Sequence, residues 1–304
     1  MLSINVNRFN TACQKGFLHY LDQCRESHDV LLLQEVKLAP AKHAKARDSL
    51  LALGYAHVAI NSIAGSSGVL IAVRSTLVQP RFTCDIPGCD LVDSRGRVMT
   101  MTTSDPPITV VCAYLPFCNP LIEDIAPRCS VFRASFTAYI SELATNSPHR
   151  KRSLIIGGDL QVALTDQDES VSLMPPSPGS TDQERTDHAT LVSSGNLIDS
   201  YRVLRPDGCA HTCQSTYPRW TRGRALASKR IDYILSSLHP VPTRHTLASR
   251  LDRRPDHSLY LYHKQRQATC AFIRQRLSTR SFRGRGFGAR PGPSRRRRRE
   301  PGAR

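Results

Sequence analysis

The sequence predicts a single α/β domain with a basic tail. Three observations predict it. Apolar runs of strand length alternate with segments of helical periodicity as far as residue 263. Several of those runs end on a polar side chain with chemical uses. Beyond about residue 273 the chain turns to Arg, Gly and Pro, a composition that cannot bury a core. The expected organisation is one folded domain over 1–270 and a disordered tail over 271–304.

Residues 2–6, Leu-Ser-Ile-Asn-Val, alternate as a short strand, and 11–24 suit an amphipathic helix with Phe17, Leu18 and Leu21 on one face. Val30 to Leu33 is an apolar strand that delivers Gln34 and Glu35. A second helix is expected over 41–53, closed by Gly54 as a C-cap. Strands are expected at 56–60, 68–73, 97–102 and 108–114, the last β-branched and unbroken. A helix follows over 130–144, then a buried strand over 153–156 running into Gly157-Gly158-Asp159. The stretch from Asp166 to Arg185, with Pro175, Pro176 and Pro178, reads as a loop or insertion. A short helix over 186–195 and strands at 231–235 and 259–263 complete the domain, and no internal repeat is found.

Net charge is +17 over 304 residues. From Arg274 onward twelve arginines face one acid, Glu300, so the tail holds +11 and the first 273 residues only +6. Such a field attracts polyanions by counterion release, which makes nucleic acid the expected partner and an anionic membrane surface the weaker one. The run Arg295 to Arg299 suits a nuclear-import signal or a nonspecific anchor, and equally a solvated tail. The ten cysteines include no CxxC pair. Cys209, His211 and Cys213 fall short of a zinc set, so free thiols in a reducing compartment are expected rather than disulfide staples. The N-terminus shows no charged leader, and no apolar run reaches the ~20 residues of a membrane span. The expectation is a soluble, intracellular, non-secreted monomer.

The polar strand ends carry the chemistry. Asn5 and Asn7 bracket the end of the first strand, Glu35 ends the second, and Asp159 with Gln161 follows a later one. Asp232 lies in Arg230-Ile231-Asp232-Tyr233, and Asp256-His257 precedes the last strand. Strands in an α/β sheet deliver such ends to one edge. Oxygen ligands such as Glu35 and Asp256 favour a hard cation, Mg²⁺ or Mn²⁺, which neutralises phosphate charge. Asp159 suits a water-orienting base, and Asp232 suits an orienter of the His257 imidazole. Asn7 and Gln161 offer amides to phosphate oxygens or to the nucleophile. Asn5, Arg97 (with Arg95), Trp220 and Arg222 are candidate contacts to phosphate or DNA.

Six segments occur in the order and roughly the spacing of the exonuclease III-like nucleases: Leu2 to Asn7, Leu32-Leu33-Gln34-Glu35, Cys112 to Pro116, Gly158-Asp159-Leu160-Gln161, Arg230 to Leu235 and Pro255-Asp256-His257. The chain resembles that branch of the endonuclease/exonuclease/phosphatase superfamily, which includes apurinic/apyrimidinic endonucleases and the endonuclease domains of LINE-type retrotransposons. The resemblance implies a four-layered α/β sandwich, two mixed β-sheets face to face with helices outside and the site at one end. It implies metal at Glu35, Asn7 and Asp256, water at Asp159, and Asp232 with His257 at the scissile phosphate, aided by the Tyr114 hydroxyl. Gln161 departs from the Asn usual there, Arg8 from a Gly, and Phe117 from the Asn of the repair enzymes. Lys229, where those enzymes carry Trp, favours the retroelement branch over abasic-site repair. The expected function is therefore metal-dependent nicking of DNA. A lipid-headgroup phosphodiesterase, or an inactive scaffold that binds DNA or RNA through its Arg-rich tail, are the alternatives.

Overall fold

The central strands form at the apolar runs 30–34, 69–73 and 108–114, which are apolar on both faces because both faces are covered. The computed structural model describes residues 1–24, 28–63, 67–75, 77, 79–89, 95–118, 125–146, 152–170, 178–209, 211–215 and 227–237. The first sheet holds β1 (Leu2–Asn5), β2 (Val30–Gln34), β3 (His57–Asn61) and β4 (Val69–Val73) in the order β1-β2-β4-β3. The second holds β5 (Arg81–Cys84), β6 (Val98–Thr102), β7 (Ile108–Tyr114), β8 (Ser153–Asp159), β9 (Ile198–Asp199) and β12 (Asp232–Ser236) in the order β5-β6-β7-β8-β12-β9. A ribbon of β10 (Cys213–Ser215) and β11 (Ala227–Lys229) stands apart.

Alternate residues of one strand serve different cores. Val30 and Leu32 of β2 join Val69, Ile71, Met99, Val110, Cys112 and Ile155 between the sheets. Leu31 and Leu33 face outward, to Phe9, Phe17, Leu21 and Leu50 of α1 (Phe9–Gln14), α2 (Phe17–Gln23) and α3 (His43–Leu51). On the far side Val111, Ala113 and Ile156 meet Phe132, Phe136 and Leu191 of α4 (Ile125–Thr145) and α5 (Asp182–Ser194). The result is the expected four layers: helices, sheet, sheet, helices.

The departures have local causes. The helix expected over 11–24 is split in two by Gly16, whose φ of +92° ends one turn and starts the next. The polar stretch 166–185 contains regular structure. A 3₁₀ turn spans Asp166–Asp168, and α5 begins at Asp182 because Thr181 and Glu184 form a reciprocal capping box. The helix expected at 130–144 starts earlier, at Ile125, and a short helix α6 (Ser200–Leu204) follows β9 with Asp199 as its cap. One expectation about thiols is corrected. Cys118, leaving β7, and Cys129, in α4, form a disulfide with Cα atoms 6.1 Å apart, because α4 packs back across the strand that precedes it. His211 shares a hydrogen bond with Ser228 Oγ at 3.1 Å. No helix among the described residues is long and apolar enough to cross a membrane. The strand expected at 259–263 and the tail lie outside the described residues.

Candidate active site

The sheet order gathers the polar strand ends at one edge. β1 and β2 run parallel with Asn5 opposite Gln34, so the residues after each emerge together. In the other sheet β7 and β8 are parallel with Tyr114 opposite Asp159, and antiparallel β12 sets Asp232 opposite Asp159. Antiparallel β6 brings Arg97 alongside, its carbonyl accepting from the Tyr114 N–H at 2.8 Å. Arg97, Tyr114, Asp159 and Asp232 therefore stand in sequence across β6, β7, β8 and β12.

Asn5 joins the two sheets. Its amide nitrogen donates to Glu35 Oε1 at 2.6 Å and to Asp159 Oδ2 at 2.8 Å, while its Oδ1 accepts from the Asn7 N–H at 3.0 Å. Both donors of one amide are thus used on two carboxylates that come from different sheets. Asp159 is fully buried. A buried carboxylate needs such partners, since desolvation without them is costly. On the open side Lys37 Nζ lies 2.6 Å from Glu35 Oε2 and donates to Asn7 Oδ1 at 3.1 Å.

The backbone here is held in unusual conformations. Asn7, Arg8, Glu35, Lys37 and Gln161 all have positive φ, between +40° and +81°. Non-glycine residues persist there only when their surroundings over-determine them, and such positions gather at functional sites. The restraints are visible. Val6 N–H donates to Gln34 O, Arg8 N–H to Glu35 O and Phe9 N–H to Val36 O, zipping the two exits together, and Val36 N–H donates to Gly68 O. Past β8, Gln161 N–H donates to Asp159 Oδ1 at 3.3 Å, and Ala163 N–H to Gly179 O.

Burial, together with the charges of Glu35 and Asp159, pushes the Tyr114 hydroxyl well above the usual phenol range, so it stays protonated and serves as a donor. Its ring carries the Arg97 guanidinium 5.0 Å from the centroid, and Arg97 Nη1 also donates to Tyr114 O. As to a cation, the ligand atoms on the open side are hard oxygens from Glu35 and Asn7, and the Lys37 ammonium already rests between them. The set fits a hard divalent ion. Among the described residues no three His, Cys, Asp or Glu side chains converge as a metal cluster. Asp256, His257, Trp220 and Arg222 lie outside the described residues.

Some contributors were not evident from sequence. A Cβ on Gly158 would lie 1.9 Å from Ala113 O, and one on Gly157 2.4 Å from Leu32 Cδ1, so both glycines let β8 seat against β7 and the opposite sheet. The Gly-Gly pair inside a strand was the available signal. Two residues before Asp232, Arg230 is nearly sealed from solvent. It binds Asp168 Oδ1 and Asp199 Oδ2 at 2.7 Å each, with its guanidinium 4.4 Å from the Tyr233 ring centroid. Asp168 gave no signal, since it lies in a stretch that reads as a polar loop.

The two-sheet sandwich has solved counterparts. An AP endonuclease from Leishmania major aligns with TM-score 0.64 and 25% identity over 77% of this chain and 78% of that one. An AP endonuclease from Archaeoglobus fulgidus aligns with TM-score 0.60 and 20% identity, covering 78% and 86%. The 3′ phosphatase NExo from Neisseria, in complex with a product DNA hairpin, aligns with TM-score 0.61 and 23% identity, covering 79% and 87%. A comparison with curated proteins finds no match. The chain belongs to the Endonuclease/Exonuclease/phosphatase family, whose model matches residues 2–254.

Proposed function

We propose that this chain is a divalent-metal-dependent DNA endonuclease that nicks one strand. The observation that carries the reading is the Glu35–Asn5–Asp159 bridge, two carboxylates from opposite sheets fixed by one amide at the open end of the sandwich. The similarity to nucleases and to a phosphatase that has been seen with DNA supports a phosphate ester as substrate. Glu35 and Asn7, with Asp256, would hold the ion. When bound, Mg²⁺ or Mn²⁺ supplies charge neutralisation at the phosphate.

The chain's own groups have distinct tasks in this reading. Asp159 orients the attacking water and takes its proton. Asn5 keeps that carboxylate from rotating toward Glu35. Tyr114 donates its hydroxyl to a non-bridging phosphate oxygen. Asp232 orients His257, and Gln161 places its amide near the nucleophile. Arg97 contacts phosphate. Between the branches we favour a retroelement-type endonuclease over an abasic-site enzyme. Lys229 replaces the Trp of repair enzymes, and here it is occupied by Pro178 O at 2.9 Å and by Glu169 at 3.4 Å.

Nicking of supercoiled plasmid in Mg²⁺ by the wild type and by Glu35→Ala tests the activity. The variant is expected to lose at least about a hundredfold, as loss of a metal-site ligand implies. Equal nicking would remove Glu35 from the mechanism. No nicking by either, with DNA still bound, would leave an inactive nucleic-acid binder. Preferential incision of an abasic duplex over unmodified DNA would reverse the choice of branch.

A further inference from the structure

Five large hydrophobic side chains are prominently exposed among the described residues: Leu51, Ile63, Phe117, Val131 and Val203. Leu51, Val131 and Val203 sit on helices, whereas Ile63 and Phe117 sit on loops at the edge that carries the carboxylates. Phe117 is the aromatic one, with half of its surface in solvent.

The segment bearing it is held at both ends. Leu115 is buried and its N–H donates to Asp159 O at 3.0 Å, which extends the ladder of the site strands by one rung. Cys118 is buried and tied to α4 through Cys129. Only Pro116 and Phe117 lie between these anchors, and proline fixes its own φ. The ring is therefore presented to solvent by a short clamped segment and does not reach the core.

Its surroundings indicate what it meets. Tyr114, three residues earlier, stands opposite Asp159, and the Arg97 guanidinium lies over the Tyr114 ring, held again by Tyr114 O. One flank of the carboxylate pair thus combines a positioned guanidinium with an exposed aromatic side chain on a backbone segment held at both ends. That pairing of cation and ring is how proteins hold a nucleic-acid strand, the cation on phosphate and the ring on a base.

We propose that Phe117 is a DNA-binding residue that stacks on a nucleobase of the strand held at the site, beside a phosphate contacted by Arg97. This rests on the reading of the chain as a DNA nuclease.

Binding without cleavage tests it. Full-length protein in EDTA is titrated, by fluorescence anisotropy, against an oligothymidylate and against a tetrahydrofuran-spacer oligomer of equal length, which has the phosphates and no bases. The Arg-rich tail meets the same phosphates in both, so their ratio isolates base contact. Phe117→Ala is expected to weaken oligothymidylate binding about tenfold and leave the base-free oligomer unchanged, and Phe117→Trp to restore the preference. Equal binding of oligothymidylate by Phe117→Ala and wild type overturns the proposal. So does an equal loss on both oligomers. Plasmid nicking by the wild type, abolished in Glu35→Ala, is read separately. The nuclease reading can therefore stand while the stacking fails, and the reverse outcome is equally distinguishable.

Discussion

Gln161 follows the end of β8 by two residues, with φ of +59° and little exposure. Its N–H is held by Asp159 Oδ1, and Gly179 approaches so closely that a Cβ there would lie 2.6 Å from Gln161 O. In the proposed mechanism the side chain approaches the nucleophile from this root, so its length decides where the amide falls. Asn tolerates positive φ better than Gln and draws the amide back by more than 1 Å. Gln161→Asn is therefore expected to raise the nicking rate, by up to about a hundredfold, with thermal stability unchanged or slightly higher. Parallel rate and melting measurements check this, and an unchanged rate would take the amide out of the mechanism. At this scale the acids were legible, since Glu35 and Asp159 each end an apolar run. The role of Asn5 was not. A bridge between carboxylates 124 residues apart in the chain depends on how closely two sheets approach.

Among the elements, β12 is led in by a buried polar anchor. Arg230 enters it between Asp168 from the 3₁₀ turn and Asp199 from the cap of α6, with Tyr201 and Tyr233 against its guanidinium. Arg202 pairs with the same Asp168. Burial raises the Asp168 carboxyl, but the Arg230 hydrogen bond and the charges of Arg230 and Arg202 more than offset it and leave it below the usual carboxylate range. Removing one partner of a buried pair leaves the other charge uncompensated, so Arg230→Ala should cost about 3–5 kcal/mol in chemical denaturation. Arg230→Lys should rescue little, because an ammonium cannot make the forked contacts. A loss below about 1 kcal/mol would show that the anchor is dispensable. The strand itself was legible as Ile231 to Leu235. Its anchor was not, because Asp168 meets Arg230 and Arg202 only once segments more than thirty residues away fold against the turn that bears it.

For the molecule as a whole, two buried histidines tie stability to pH. His28 and His188 are both held down to about 4. Burial is the main cause in each, helped by the N-terminal amine and Arg74 at His28 and by Arg230 and Arg133 at His188, where Asp199 opposes it. Above the unfolded value near 6.5 neither state binds these protons, and their contribution is complete. As pH falls from 6.5 toward 4 the unfolded chain takes up protons that the folded chain refuses, so stability declines. Each site is worth up to roughly 3 kcal/mol across that window. Melting temperature should fall steadily between pH 6.5 and 4, less so in His188→Gln, and a flat profile in the wild type would refute the assignment.

The sequence by itself determined the α/β class, the central strands along the chain and the acidic groups at their ends, since strand length, apolar runs and polar termini are properties of short segments. Only the tertiary structure decided that Asn5 spans two sheets, that Cys118 reaches Cys129, that Arg230 lies buried between two aspartates, and that Phe117 stays in solvent. Each of these depends on distances between segments far apart in the chain, set by how two sheets and their covering helices pack.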